Sequence, residues 1–372
     1  MILEDTVTFI TRKTGLTGLA LIGASALVLT GCAAAPEGDN ATNAASDFLP
    51  CMVSDSGGFD DKSFNQLGFE GLQAAAKELG VEAKSVESKS DADYAPNIDT
   101  LVSAGCDLIV TVGFALSAAT VEAALANPDI NFAIVDDAAD NDFDGKTDAP
   151  NIKPILFDTA QAAFLAGYAS SSYTKTGILG TFAGIAFPTV TIFMDGFYQG
   201  MTYYNEQKGK DVKLVGYDPA NVDATIATGG FAADDNAKSV AKTILDQGAD
   251  VLLPVGGPIF QSGGAAIEES GKDIVLLGCD ADVFDTFPTY DSLYFTSILK
   301  DMKKAVGDVV LATAGGTFDV TPYVGTLENG GVGIAPFHDY ESKVDSGLQD
   351  ELDTIKASII SGDIKVTSYL NP

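Results

Sequence analysis

The sequence predicts an α/β protein of two lobes, each built on a doubly wound parallel sheet. Short apolar segments alternate along the chain with segments of helical periodicity, as is typical of such sheets. The second half also repeats the first, because LVSAGCDLIVTVG resembles ILDQGADVLLPVGG and NFAIVDDAAD resembles DIVLLGCDAD. The offset is 143 residues from Asp107 to Asp250 and 144 residues from Asp136 to Asp280. Because the two repeated segments occur in the same order and at a near-constant offset, the sequence indicates two lobes of the same topology.

The elements of the first lobe follow from their periodicity. LPCMVS is an apolar strand, and apolar residues at helical spacing predict a helix over residues 64–79 that ends at Gly80. VEAKSVES, DLIVTVG and NFAIVDD are predicted to be the next strands, with helices between them. The internal repeat predicts the same succession in the second lobe.

The amino-acid composition excludes some classes of function and favours others. The chain has 372 residues, of which 46% are hydrophobic, so it can bury cores for about two domains and is not expected to be disordered. Its net charge is −31, and its only arginine is Arg12. Nucleic-acid binding, which neutralises phosphates with lysine and arginine, is excluded by this balance. The acidity contributes to solubility, and it favours an uncharged or cationic ligand.

The N-terminus is predicted to be an export signal over residues 1–31. Arg12 and Lys13 precede the apolar run LTGLALIGASALVLTG, which suits a signal peptide and is short for a membrane span. The small residues just before Cys32 resemble a bacterial lipobox, which predicts that Cys32 carries the lipid, palmitate included, and becomes the mature N-terminus. The alternative is an ordinary signal peptide that contains a cysteine. Residues 32–46 are polar and predicted to be a flexible tether.

The remaining cysteines and the single histidine limit the chemistry. Cys51 and Cys106 begin apolar strands that should be neighbours, so they form either a disulfide or two small core residues. His338 is the only histidine, which argues against a zinc site and a Ser-His-Asp triad. No metal or cofactor is expected.

The candidate binding residues follow the strands. Ligands of doubly wound sheets bind beyond the carboxyl ends of the strands, where both lobes carry unusual residues. These are Asp55, Gly113, Phe114 and Asp136 in the first lobe and Gly256, Gly257 and Asp280 in the second. Aspartate and glycine are also common in turns and at helix N-caps. Capping is the interpretation we favour for Asp60 and Asp61, and ligand binding for Asp136 and Asp280.

One family resemblance covers the chain from about residue 48 to its end. SDSGGFDDKSFNQLGFEGL resembles the opening motif of the basic membrane protein (BMP) family, lipoproteins that bind purine nucleosides for ABC transporters. Seven further segments resemble blocks of that family in the same order. They are FDTAQAAFLAGY, TVTIFMDGF, GGFAADDNAK, PVGGP, LGCDAD, FTSILK and GGVGIAPFHDY. The resemblance implies a type I periplasmic binding protein fold, whose lobes are joined by three crossing strands.

The lobe boundaries are expected from the same resemblance. The first lobe is predicted to comprise residues 47–157 and 299–320, and the second lobe residues 158–298 and 321–372.

The resemblance also implies which residues meet the base. Phe64 and Phe231, one from each lobe, would sandwich the purine, and stacking of this kind needs no charge. Asp136 would accept hydrogen bonds from base N–H groups, and Asp55 and Asn65 would line the same side. Phe64 also lies on the apolar face of its predicted helix, so a core role is the alternative.

A second group is implied to meet the sugar. Asp280 would accept hydrogen bonds from the ribose hydroxyls and Lys300 would donate to them. Gly256 and Gly257 would let the backbone approach the sugar, because glycine has no Cβ. Pro258 departs from the family pattern, in which glycine or threonine often follows the glycine pair, so the sugar specificity stays open.

The sequence therefore predicts a lipid-anchored, extracytoplasmic solute-binding protein and not an enzyme. Its expected ligand is a purine nucleoside of the guanosine, inosine or adenosine type, its expected partner an ABC transporter permease, and its expected state a monomer.

Two alternatives keep other functions open. GGFDD is similar to the calcium-binding first loop of nucleoside hydrolases, but Ser54 and Ser56 stand where two carboxylates would be needed. A sensor or adhesion lipoprotein of the same fold, without transport, is the other alternative.

Overall fold

The computed structural model describes residues 47–371, so the predicted signal peptide, Cys32 and the tether lie outside the described residues. The first pass through the first lobe consists of β1 (Pro50–Val53), α1 (Phe64–Leu79), β2 (Lys84–Val86), α2 (Tyr94–Ser103), β3 (Leu108–Val112), α3 (Ser117–Ala126), β4 (Asn131–Val135) and β5 (Ile152–Phe157).

The chain then enters the second lobe, whose elements are α4 (Thr159–Tyr173), β6 (Ile178–Ala183), α5 (Pro188–Lys208), β7 (Lys213–Val215), α6 (Asp235–Leu245), β8 (Val251–Val255), α7 (Ile259–Ser270), β9 (Val275–Asp280), α8 (Val283–Thr286) and β10 (Tyr294–Lys300). The last elements are α9 (Met302–Ala314) and β11 (Tyr323–Gly325), followed by β12 (Val332–Ile334) and α10 (Leu348–Ser361). None of the helices in residues 47–371 is long and apolar enough to cross a bilayer.

The strands form two six-stranded sheets with matching orders. The first sheet runs β11-β5-β4-β3-β1-β2 and the second β12-β10-β9-β8-β6-β7. All pairs are parallel except β10 with β12, which is antiparallel. Helices cover the faces of both sheets, and the central strands β3 and β8 are fully buried. The predicted fold class, two doubly wound α/β lobes, is therefore confirmed.

Three crossings join the lobes, and hydrogen bonds tie the crossing segments together. The chain crosses from β5 to α4, from β10 to α9 and from β11 to β12. The Asp158 N–H donates to the Gly325 carbonyl (2.8 Å), and the Asp301 N–H donates to the Gly331 carbonyl (2.9 Å). The crossings lie on one side of the molecule, so the edge strands β2 and β7 border the side farthest from them.

The crossings differ from the predicted lobe boundaries by a few residues. Leu299 and Lys300 were assigned to the first lobe, but they end β10 in the second sheet. Residues 321–325 were assigned to the second lobe, but Tyr323–Gly325 pairs with β5 in the first sheet. A strand of three residues has too little pattern to indicate which sheet it joins, so only the tertiary pairing decides its lobe.

Cys51 and Cys106 are joined in a disulfide, which resolves the alternative left open by the sequence. Their Cα atoms lie 6.0 Å apart across the neighbouring strands β1 and β3. The bridge joins two residues that are 55 positions apart in the chain of the first lobe.

Close helix packing fixes α5, which carries part of the cleft wall, against α4. A Cβ on Gly196 would lie 2.2 Å from the Ala160 carbonyl oxygen, and one on Gly200 would lie 2.0 Å from the Phe164 carbonyl oxygen. Any larger residue at these positions would push the helices apart. The glycines thus let the two backbones touch and hold the start of α5 at the cleft.

Candidate ligand-binding cleft

A cavity of about 530 Å³ lies between the lobes, at the carboxyl ends of both sheets. All nine binding residues predicted from the sequence line it: Asp55, Phe64, Asn65, Asp136, Phe231, Gly256, Gly257, Asp280 and Lys300. They come from six different segments of the chain, so the fold brings them together around one space large enough for a small organic ligand.

The acidic loop before α1 is held by the helix it precedes. The Asp61 carboxylate accepts hydrogen bonds from the backbone N–H groups of Ser63 (3.0 Å), Asn65 (2.8 Å) and Gln66 (3.1 Å). Asp61 therefore caps the helix, as expected. Asp60 is exposed and makes no such bonds, so the capping interpretation is wrong for Asp60.

Asp55 and Asn65 hold each other at the cleft wall. The Asn65 amide donates to Asp55 Oδ1 (2.7 Å), and the Asp55 N–H donates to Asn65 Oδ1 (3.2 Å). The Gly57 N–H also donates to Asp55 Oδ1 (2.8 Å). Burial outweighs these bonds and raises the pKa of Asp55 to about 6. Asp55 is thus a fixed acceptor at neutral pH that takes up a proton in mild acid.

A buried charge cluster joins the lobes at the floor of the cleft. The Lys300 ammonium pairs with Asp136 of the first lobe and lies 3.3 Å from Asp280 Oδ1 of its own lobe. The side chains of Lys300, Asp136 and Asp280 are 2%, 8% and 5% exposed. Burial alone would lower the pKa of Lys300, but the two carboxylates outweigh it and raise that pKa. Lys300 therefore stays charged, while burial raises the pKa of both Asp136 and Asp280.

The two aspartates of this cluster occupy equivalent positions with the same unusual backbone. Asp136 directly follows β4 with φ of 60°, and Asp280 ends β9 with φ of 68°. Such values are uncommon for residues other than glycine, although aspartate tolerates them better than most. The internal repeat therefore extends from the sequence to the conformation of the cleft.

Aromatic side chains form the walls. Phe64 is partly buried against the first-lobe core and also faces the cavity, where its ring centre lies 5.4 Å from the Lys300 ammonium. Phe231 meets Phe114 edge to face, with ring centres 6.2 Å apart. Phe114 in turn stacks on Phe187 across the cleft, with ring centres 4.0 Å apart. Both lobes thus contribute flat apolar surfaces to the same space.

The structure shows a packing reason for glycine at position 256. A Cβ at Gly256 would lie 2.5 Å from Cδ1 of Phe231, and one at Gly184 would lie 2.3 Å from the same atom. The missing Cβ of Gly256 therefore accommodates the Phe231 ring, and its approach to a sugar stays a prediction. Gly257 has space beside it, since its nearest neighbour would be Asp61 Oδ2 at 3.9 Å.

Several cleft residues were not singled out from the sequence. Thr189, Val190 and Phe193 line the cavity from the first turns of α5, and Tyr94 lines it from the start of α2. The Phe193 ring centre lies 4.8 Å from the Lys300 ammonium. The only signal available was the TVTIF segment, in which residues 189 and 193 share a helix face, and buried helix faces are common without a ligand.

The structure does not form the calcium-binding loop considered as an alternative. The Asp61 oxygens are engaged by backbone N–H groups, and Asp60 points to solvent. Within residues 47–371, one group of three acidic residues has ligand atoms close enough to share an ion, Asp140, Asp142 and Asp148. It belongs to the loop between β4 and β5 and does not line the cavity.

Comparisons with known proteins agree with this architecture. A family model described as "ABC transporter substrate-binding protein PnrA-like" (Bmp) matches residues 48–369. The chain belongs to this family. It therefore belongs with the substrate-binding proteins of ABC transporters.

Individual relatives cover nearly the same region. The ABC transporter nucleoside-binding protein BmpA of Lactococcus lactis is 29% identical over 94% of this chain and 97% of its own length. Basic membrane protein A of Borreliella burgdorferi is 31% identical over 84% of this chain and 86% of its own length. A crystal structure of an ABC transporter solute-binding protein from Aeropyrum pernix is 25% identical, with a TM-score of 0.75, over 86% of this chain and 93% of that one.

Proposed function

We propose that this protein captures a purine nucleoside between its two lobes and delivers it to an ABC transporter. The observation that carries the proposal is the composition of the cleft, in which Phe64 and Phe231 come from opposite lobes and line one cavity with buried carboxylates. Flat apolar walls suit a heterocyclic base, and carboxylates suit ligands that offer N–H and O–H groups. The nucleoside-binding relative from Lactococcus lactis supports the same assignment.

The base is assigned to the aromatic side of the cleft. Phe64 and Phe231 stack on its two faces, while Asp55 and Asn65 lie where they can meet its edge. Asp136 accepts from base N–H groups, with Lys300 supplying its counter-charge. A base held in this way contacts both lobes, so binding favours the closed arrangement.

The ribose is assigned to Asp280 and Lys300. Asp280 Oδ1 is buried and lacks an aligned hydrogen bond, although Lys300 lies 3.3 Å away. A buried acceptor in that state gains from a hydroxyl donor, because an unsatisfied polar atom is costly. Lys300 has three N–H groups and donates to a second ribose oxygen.

The charge of the cleft selects against phosphorylated ligands. The acidic side chains that line the cavity include those of Asp55, Asp61, Asp136 and Asp280. Within residues 47–371, the only basic side chain in the lining is that of Lys300. That cation is already shared by two carboxylates, so it is not free to pair with a phosphate. We expect guanosine, inosine or adenosine to bind and their monophosphates to bind far more weakly.

Lipid anchoring and transport complete the proposal. Cys32 carries the lipid and residues 32–46 tether the lobes to the extracytoplasmic face of the cell membrane, where a monomer hands its ligand to the permease. In a Cys32→Ser variant we expect the protein to leave the membrane fraction or to remain unprocessed. Membrane retention with normal processing would overturn the anchor.

One experiment tests the ligand assignment. Small molecules released from the denatured protein are identified by mass spectrometry, and calorimetry then compares nucleosides, their monophosphates and free sugars. We expect nucleosides to be released and rebound. Equal affinity for guanosine and its monophosphate would contradict the charge argument, and conversion of inosine to free base would favour a hydrolase. Loss of nucleoside uptake on gene deletion separates transport from sensing or adhesion.

A further inference from the structure

Ser63 occupies the N-cap position of α1 but does not cap the helix. A serine at this position usually accepts a hydrogen bond from a backbone N–H of the first turn, and Ser63 makes no such bond. Asp61 already accepts those N–H groups, including those of Asn65 and Gln66. The Ser63 hydroxyl is therefore available for another partner.

That partner lies in the opposite lobe. The Ser63 hydroxyl donates to the Cys279 carbonyl (2.8 Å) and lies 3.3 Å from Asp280 Oδ2. Ser63, Cys279 and Asp280 are 0%, 1% and 4% exposed. A buried hydroxyl that reaches across two lobes to the end of a strand contributes only while the lobes are together.

A second cross-lobe hydrogen bond lies beside the first. Thr286 of α8 donates to the Lys62 carbonyl (2.7 Å). Lys62 has φ of 64°, an uncommon conformation for lysine, and this turn directs its carbonyl. We call this group of residues the inter-lobe latch. It consists of Lys62, Ser63, Cys279, Asp280 and Thr286.

We propose that Ser63 is a positioning residue, which holds the Asp280 carboxylate for the ligand only when the lobes close. Ser63 binds on the Oδ2 side of Asp280, so Oδ1, which lies 3.3 Å from Lys300 without an aligned hydrogen bond, can accept a donor from the ligand. When the lobes separate, Asp280 keeps Lys300 and loses Ser63. The ligand acceptor is thus completed by closure, and Thr286 strengthens the same closed state. The ligand part of this proposal rests on the proposed nucleoside function.

The latch predicts how binding is lost. In Ser63→Ala we expect nucleoside affinity to fall about tenfold, the loss of roughly one hydrogen bond. The change should lie mainly in the dissociation rate, because the latch forms after encounter. Thr286→Val should act in the same direction by a smaller factor. Ser171→Ala is the matched control, since Ser171 is a buried serine that donates to the Gly167 carbonyl (2.7 Å) within one helix.

A direct measurement of closure separates positioning from general stability. Spin labels at Lys89, just after β2, and at Asp223, in the segment between β7 and α6, are both on exposed residues and report the opening of the lobes. We expect Ser63→Ala and Thr286→Val to shift the ligand-free distances to longer values at unchanged melting temperature, and Ser171→Ala to leave them unchanged. Distances that stay the same in both latch variants would overturn the latch. If Ser63→Ala does not fold, Thr286→Val decides the question.

A double-mutant cycle tests whether Ser63 acts through Asp280. In the Asp280→Asn background, Ser63→Ala should cost less than tenfold in affinity, because the contact of Ser63 with the Asp280 carboxylate is already lost and only its bond to the Cys279 carbonyl remains. Full additivity would overturn the positioning role. If the wild-type protein binds no nucleoside, the proposed function fails, and the ligand-free distances alone then support or overturn the latch.

Discussion

The two lobes place equivalent aspartates at equivalent strand ends, but only the second lobe supplies a cation beside its own. Asp280 has Lys300 in the same lobe, whereas Asp136 is neutralised by Lys300 from across the cleft. The repeat thus preserves the backbone, including the positive φ of both aspartates, but not the charge. The difference shows why the cleft is a composite site: the first lobe cannot bury Asp136 without the second.

The amino ends of the strands give a second comparison. Asp107 accepts the Leu49 N–H (2.7 Å), and its repeat partner Asp250 accepts the N–H groups of Lys175 (2.7 Å) and Thr176 (2.9 Å). Both aspartates tie the start of a neighbouring strand to the sheet. The first lobe adds a disulfide at the same end, while the cysteine described in the second lobe, Cys279, is free and buried.

Replacing Lys300 should break the charge asymmetry and produce the largest effect. In Lys300→Met we expect the free energy of unfolding to fall by about 3–5 kcal/mol, because Asp136 and Asp280 are left buried without a cation. Urea denaturation measures the loss. Lys303→Met is the control, since Lys303 pairs with Glu70 at the surface and should cost about 0–1 kcal/mol. Equal losses in both variants would contradict the role of the buried cluster.

Removing the disulfide should separate the stabilities of the two lobes. In a Cys51→Ser, Cys106→Ser variant we expect the free energy of unfolding to fall by about 2–4 kcal/mol, because the unfolded chain gains freedom. Hydrogen exchange should accelerate in β1 and β3 and stay unchanged in β6 and β8. A reducing agent should reproduce this in the wild type and add nothing in the variant. Uniform acceleration in both lobes would be inconsistent with a local role.

The next prediction concerns Phe64 and Phe231, the two cleft phenylalanines, which come from different lobes and contact the same proposed ligand. Phe64→Ala and Phe231→Ala should each cost about 1–3 kcal/mol of nucleoside binding, and the double variant should be non-additive because both rings hold one base. Phe143→Ala is the control, since that ring is 86% exposed on a loop outside the cavity. Calorimetry measures the nucleoside affinity of each variant, and melting curves measure its thermal stability. If Phe64→Ala melts much lower while its folded fraction binds normally, Phe64 is a core residue and the stacking role is wrong.

The smallest expected effect comes from pH, through Asp55 of the first lobe. Its pKa is raised by burial from about 3.8 to about 6, so the folded state binds this proton more tightly than the unfolded state. Between pH 6 and 4 the contribution of Asp55 to stability should therefore rise on acidification. Nucleoside affinity should fall over the same range, because a protonated carboxyl is a poorer acceptor. Asp55→Asn should flatten both trends; identical pH profiles in variant and wild type would exclude Asp55 as their source.

Local sequence patterns predicted the order of strands and helices, the internal repeat and the family. These predictions depend on local periodicity and on blocks of adjacent residues. Both can be recognised in a sequence without knowledge of the fold. Gly80 illustrates this point: it ends α1 with φ of 71°, at the residue where the pattern predicted the end. The acidic, arginine-poor composition likewise favours an uncharged or cationic ligand, which stays a prediction.

The contacts between residues distant in the chain depend on how the two lobes pack. Asp136 and Lys300 are 164 positions apart, and Ser63 and Cys279 are 216 positions apart, yet each pair is in contact across the cleft. The partner of Gly256, the ring of Phe231, could not be read from the glycine pair either. Contacts of this kind depend on how two separately folded sheets approach each other, and no local pattern encodes that approach. The sequence therefore predicted the lobes and the residues of the cleft, and the packing of one lobe against the other selected their partners.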